Sequence, residues 1–194
     1  MIIIGITGTF GAGKGTVVEC LVVKYGFAHF SARAVIADEI KKRGLPENRD
    51  TMRQVANDLR AKHGSAYVLE QLLTRALASG ADRAVLESVR TLGEIAMLRK
   101  IKPPQHFYLL GVDAKAQLRY ERNVARGSTT DQVNFADFLR QEHLESVSKN
   151  PAEINLPACL KLADFVLTNN GSMAELYAQV DEAMQKLGLP RQNN

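Results

Sequence analysis

The stretch Gly8-Thr9-Phe10-Gly11-Ala12-Gly13-Lys14-Gly15-Thr16 decides how the rest of the chain is read. It follows Ile2-Ile3-Ile4-Gly5-Ile6, an apolar run too short for a helix and rich in β-branched residues, which predicts a buried strand. A helical pattern from Val17 to Tyr25 comes directly after it. Strand, glycine-rich turn and helix in that order make a loop for phosphate. The glycines let successive backbone N–H groups wrap an anion, the helix N-terminus adds partial positive charge, and Lys14 has the reach to meet terminal phosphates. Gly8, Gly11, Ala12, Gly13, Lys14, Gly15 and Thr16 are the candidate nucleotide-binding positions. The common pattern places Ser or Thr directly after the lysine, where its hydroxyl binds Mg²⁺. Here that place is Gly15, and the first hydroxyl is on Thr16, so a metal contact is expected to be looser or water-mediated.

The bulk properties narrow the class. A chain of 194 residues fits one domain with a sizeable core. Its net charge of +4 is too mild to argue for a nucleic acid polymer and suits small anionic ligands. No apolar run approaches the roughly 20 residues needed to span a bilayer. The start lacks the features of a signal peptide. A cytoplasmic protein without a membrane partner, monomeric or a small homo-oligomer, is the expectation. Cys20 and Cys159 lie far apart in apolar patterns and read as buried, reduced thiols, while the four histidines form no ligand motif.

Outward from the loop, Gly26 closes the first helix, and Phe27 to Phe30 reads as a second strand ending at the helix cap Ser31. The next helix is expected from Ala32 to Arg43, with Val35, Ile36 and Ile40 on one face, stopped by Gly44 and Pro46. Thr51 is the expected cap of a third helix carrying Met52, Val55, Ala56 and Leu59, and Ser65 that of a fourth ending at Gly80. Between Lys41 and Gly64 seven basic residues (Lys41, Lys42, Arg43, Arg49, Arg53, Arg60, Lys62) face three acidic ones (Glu47, Asp50, Asp58). Solvated helix faces explain any single one of them, whereas the group suggests a site for an anionic acceptor.

A third strand, Ala84-Val85-Leu86, runs into Glu87-Ser88-Val89-Arg90. An acid at the carboxyl end of a strand beside a phosphate loop is placed to hold Mg²⁺, directly or through water, which makes Glu87 the candidate metal residue together with Thr16. Arg90 is placed to bind a phosphate bidentately. Thr91 and Glu94 form a capping box, and Phe107 to Val112 is the fourth strand. Arg119, Arg122 and Arg126 follow at helical spacing on one face and lead into the polar run Gly127-Ser128-Thr129-Thr130-Asp131. A basic helix before a mobile flap suits a lid, which must exclude water and neutralise a transferring phosphoryl group. A returning helix from Phe135 carries Glu142 and Glu145 as partners for the arginines. Pro151 to Leu162 yields no clear pattern, Ala163 to Thr168 is the fifth strand, and Ser172 with Glu175 boxes the last helix.

Five short strands alternating with helices predict an α/β fold: a parallel, three-layer sheet with ligands at the carboxyl ends of its strands. The Gly-Ala-Gly-Lys-Gly-Thr loop at 11–16, the insert opening at Ser31, the Glu87-Ser88-Val89-Arg90 turn and the arginine helix together resemble the P-loop nucleoside monophosphate kinases, adenylate kinase among them. In adenylate kinases the turn reads Asp-Gly-x-Pro-Arg. Ser31-Ala32-Arg33 and Ala163 to Asn169 are also similar to a group of predicted nucleotide kinases described as dephospho-CoA kinase-like. The resemblance implies a P-loop NTPase fold with a core (1–31, 81–112, 163–190), an acceptor-binding insert (32–80) and a lid region (113–150). It implies ATP and Mg²⁺ as cofactors and a small-molecule phosphate acceptor, with a nucleoside or deoxynucleoside monophosphate first. Arg33 and Arg90 would grip the acceptor, and Lys14, Arg119, Arg122 and Arg126 would surround the transferred group. A dephospho-CoA kinase is the alternative within the class; its hydroxyl acceptor would call for a base, for which Asp38 is the candidate. A regulatory P-loop NTPase is the alternative from another class.

Overall fold

The computed structural model describes residues 1–127, 134–144 and 154–192. Its centre is β1 (Ile2–Gly8), paired in parallel with β3 (Arg83–Glu87) on one side and β4 (His106–Asp113) on the other. β2 (Ala28–Ser31) lies outside β3 and β5 (Phe165–Thr168) outside β4, so the order is β2-β3-β1-β4-β5 with every pairing parallel. A central parallel strand is covered on both faces, which is why its sequence is continuously apolar rather than alternating. Alternation survives only in direction: Ile3 joins one core while Ile4 and Ile6 join the other.

The first core is closed by α2 (Ala32–Lys42), α3 (Arg49–His63), α4 (Tyr67–Ala78), α5 (Leu92–Leu98) and α8 (Leu156–Lys161). The second is closed by α1 (Lys14–Tyr25) and α9 (Met173–Lys186). α6 (Ala116–Ala125) and α7 (Phe135–Leu144) pack on each other through an edge contact of Tyr120 and Phe135. The result is the expected three-layer α/β architecture, with Val35, Ile36, Ile40, Val55, Ala56 and Leu59 buried on the insert helices. Cys20 and Cys159 are both buried and free.

Local signals set most boundaries. Gly26 ends α1 in a left-handed conformation, Ser31 caps α2, and the Thr91/Glu94 and Ser172/Glu175 boxes are both formed. Four expectations are corrected. Helix α1 starts at Lys14 rather than Val17, because the end of the phosphate loop is already its first turn. Asn48, not Thr51, caps α3: its Oδ1 accepts both the N–H of Thr51 at 2.9 Å and the Thr51 hydroxyl at 3.0 Å. Ser65 does not cap α4, whose start is held instead by a backbone turn from Tyr67 to the Gly64 carbonyl. Within the stretch that gave no pattern lies α8, six residues long and capped by Asn155, too short for helical periodicity to register. The polar run 128–131 and Glu145 lie outside the described residues.

Candidate functional site

The phosphate loop leaves β1 at Gly8, where φ is +147° and a Cβ would fall 2.0 Å from the carbonyl oxygen of Val112 on β4. No side chain fits there. At the other end Gly13 has φ +101°, and its Cβ position is 2.4 Å from Nδ2 of Asn169. The loop is thus tightened against β4 and the end of β5, which leaves its backbone free to curve. No side chain caps the N-terminus of α1, so its first amides are left for an anion.

Lys14 donates Nζ hydrogen bonds to the carbonyls of Gly8 at 2.9 Å and Thr9 at 2.8 Å. Burial, with the charge of Arg90 acting in the same direction, pulls its ammonium down to about 8. A buried cation folded back on its own loop, beside uncapped helix amides, is the donor set that a phosphate chain satisfies. Thr9 is fixed in turn, its hydroxyl donating to Oδ1 of Asp113 at 2.7 Å.

Glu87 ends β3 beside β1 and lies in register with Ser31 of β2. Its Oε2 is 2.9 Å from Nε2 of His29, and that hydrogen bond holds the Glu87 carboxyl below its ordinary value, with Lys14 and Arg90 contributing. It is therefore an ionised hard-oxygen donor, of the kind Mg²⁺ takes. The chain then turns sharply: the N–H groups of Ser88 and Val89 both donate to the Ile6 carbonyl, at 3.1 and 2.9 Å. Ser88 adopts φ +74°, a left-handed conformation that is strained for a residue with a Cβ and that glycine would adopt freely. The turn delivers Arg90, whose charge acts on Lys14, Glu87 and Glu94.

The arginine face of α6 does meet the loop. Arg119, only 6% exposed, donates Nε to the Ala114 carbonyl at 2.8 Å, directs Nη1 toward the Phe10 carbonyl at 3.5 Å, and forks onto the Glu142 carboxylate of α7. Arg122 donates to the Asn169 carbonyl at 3.0 Å. Arg126 sits over the Phe10 ring, 5.8 Å from its centroid. Two predicted residues of the insert make ion pairs of their own. Arg33 is exposed on α2 and pairs with Glu47 at 3.1 Å; Asp38, also on α2, pairs with Arg75 at 2.8 Å.

His29, Asp113 and Asn169 belong to the site and were not singled out from the sequence. Asp113 carried the same signal as Glu87, an acid at the carboxyl end of a strand. Asn169 entered only as the last residue of the stretch Ala163 to Asn169 that is similar to the kinase-like group, without a role of its own, and His29 gave no local signal at all.

A parallel sheet in this order, with a phosphate loop after its central strand and an acid ending β3 beside it, defines the α/β fold of the P-loop kinases. The family model described as an AAA domain matches residues 7–138. A UPF0200 protein of Thermococcus kodakarensis is 31% identical over 193 residues, covering 96% of this chain and 100% of that protein. The chain belongs to this AAA domain family and is a member of the UPF0200 proteins. Among solved structures, TT1252 from Thermus thermophilus superposes with a TM-score of 0.64 at 24% identity, over 96% of this chain and 97% of that one. Shikimate kinase from Bacteroides thetaiotaomicron does so at 0.56 and 12% identity, over 97% and 99%. Both share the fold. No helix among the described residues is long and apolar enough to cross a membrane.

Proposed function

We propose that this protein is an ATP-dependent phosphotransferase whose acceptor is a small phosphate-bearing molecule, with a nucleoside or deoxynucleoside monophosphate as the substrate class. The observation that carries the reading is the convergence of Lys14, Glu87 and Arg90 at the carboxyl ends of β1 and β3, beneath the arginine face of α6. In this reading MgATP supplies the phosphoryl group and the metal that neutralises its charge. The loop amides and Lys14 bind the donor phosphates, Lys14 exchanging its two carbonyl contacts for phosphate oxygens. Glu87, with Thr16 on the first turn of α1, takes the hydrated metal. Arg119, Arg122 and Arg126 gather developing negative charge and keep water from it.

Residues 32–80 serve as the acceptor-binding insert and 113–150 as the lid. Arg90 holds the acceptor phosphate. Arg33 supports it from the start of α2, which follows β2 directly where Ser31 lies beside Glu87. An already ionised phosphate acceptor needs no general base, because positioning and charge neutralisation carry the reaction. The cytoplasm is the compartment that supplies such substrates.

The test is ADP release from MgATP against ribo- and deoxynucleoside monophosphates, dephospho-CoA and no acceptor, with products weighed by mass spectrometry. Release that depends on a monophosphate, with a product heavier by one phosphoryl group, is the expected result. Equal release with and without every acceptor would replace the kinase with an NTPase.

A further inference from the structure

Arg60 lies on α3 with its side chain only 10% exposed, yet its guanidinium makes no hydrogen bond among the described residues. Its Nε is buried without a partner, and the nearest carboxylate oxygen, Oε1 of Glu94, stands 3.9 Å away and is itself unpartnered. Buried polar groups are almost always satisfied, so a buried guanidinium with open donors marks a place where a ligand completes the set. Arg90 stands near it. Its charge acts on Arg60 and on Glu94, and its own guanidinium has no hydrogen bond among the described residues.

Glu94 couples the two arginines. Its Oε2 accepts the backbone N–H of Arg90 at 2.7 Å and of Thr91 at 3.0 Å, so the carboxylate that faces Arg60 also fixes the turn that carries Arg90. One buried acid cannot neutralise two guanidinia, and the pair repels until an anion joins it. Planar guanidinium groups match the oxygens of phosphate and carboxylate.

We propose that Arg60 and Arg90 form an oxyanion site between the insert and the core, in which Arg60 grips an anionic group of the acceptor, a phosphate or a carboxylate. The assignment of that ligand to the acceptor rests on the proposed function; the anion site does not.

The test is titration calorimetry of the full chain saturated with ADP, so that the phosphate loop is filled, against inorganic phosphate and separately against malonate. The ion that binds names the oxyanion class. Arg60→Gln and Arg90→Gln should each weaken that binding about tenfold or more, while Arg60→Lys loses less because it keeps the charge. Thermal melts of the same variants separate this from a structural role, which would move the midpoint and leave anion affinity alone. Unchanged affinity in folded Arg60→Gln and Arg90→Gln, or no binding of either ion by the unaltered chain, overturns the site. If no acceptor supports phosphotransfer while Arg60→Gln still loses anion binding, the kinase reading fails and the anion site stands. Phosphotransfer with an unchanged acceptor KM in Arg60→Gln keeps the kinase reading and overturns the assignment of the site to the acceptor.

Discussion

Asn169, directly after β5, donates its side-chain N–H to the carbonyl oxygen of Ala12 at 2.9 Å, tying the last strand of the sheet to the middle of the phosphate loop. The same residue accepts from Arg122 through its backbone oxygen, so one asparagine joins the loop, the arginine helix and the strand end. The bond is buried. Replacing Asn169 with Ala leaves the Ala12 carbonyl without its partner and should cost about 1–3 kcal/mol of stability. Urea denaturation reads that loss, and nucleotide affinity should fall with it because the loop loses its brace. A variant as stable as the unaltered chain would show the contact to be incidental.

Lys14 gives the site a pH dependence with a defined sign. Its folded-state value is lowered from 10.5 to about 8, so between those limits the unfolded chain binds more protons than the folded one. Stability of the free protein therefore gains from Lys14 as pH rises through that window, and this contribution is absent below it. Bound phosphate favours the charged form and raises the value again. Nucleotide binding just above pH 8 should take up a proton, and apparent affinity should weaken as pH climbs further. Calorimetry in buffers of different ionisation heat measures the uptake, which Lys14→Met should abolish.

Gly15 is the loop position that departs from the common pattern, and the fold does not require glycine there. A Cβ at this position meets no atom within 4 Å. It lies in the first turn of α1, where glycine is entropically costly. Gly15→Ala should raise the stability of the free protein by about 0.4–1 kcal/mol, read as a higher denaturation midpoint. Weaker nucleotide binding by that more stable variant would show that the open space belongs to the ligand.

Asp38 separates the two kinase chemistries. It is ion-paired with Arg75 at the surface of the insert, a setting that suits helix pairing more than proton abstraction. With a monophosphate acceptor, Asp38→Ala should retain near-normal turnover. If the preferred acceptor presents a hydroxyl instead, the same substitution should lower turnover about 100-fold or more, as expected for loss of a general base. Steady-state kinetics with each acceptor decide between them.

The legible part of this molecule was local. A β-branched run, a glycine-rich turn and the helix after it needed only neighbouring residues to be recognised, and Gly26, Ser31, Thr91 with Glu94, and Ser172 with Glu175 punctuated the helices as their chemistry requires. The arginine stripe of α6 and the acid at the end of β3 followed from helical spacing and strand direction. Asn48 displaced Thr51 as a cap because either can begin a helix and only the course of the chain selects one. Helix α8 escaped notice because six residues span less than two turns.

The sequence by itself determined the glycine-rich loop between the first strand and helix and the parallel α/β class, since each depends on backbone conformations and periodicities carried by adjacent residues. Tertiary structure alone decided the partners. It set His29 against Glu87, Thr9 against Asp113, Arg119 against Glu142, Asn169 against Ala12, and Arg60 near Glu94 and Arg90. These contacts join residues from 23 to 157 positions apart in the hydrogen-bonded pairs. A side chain's charge and reach are written in the sequence, but which opposing group it meets is fixed only when the strands are laid side by side.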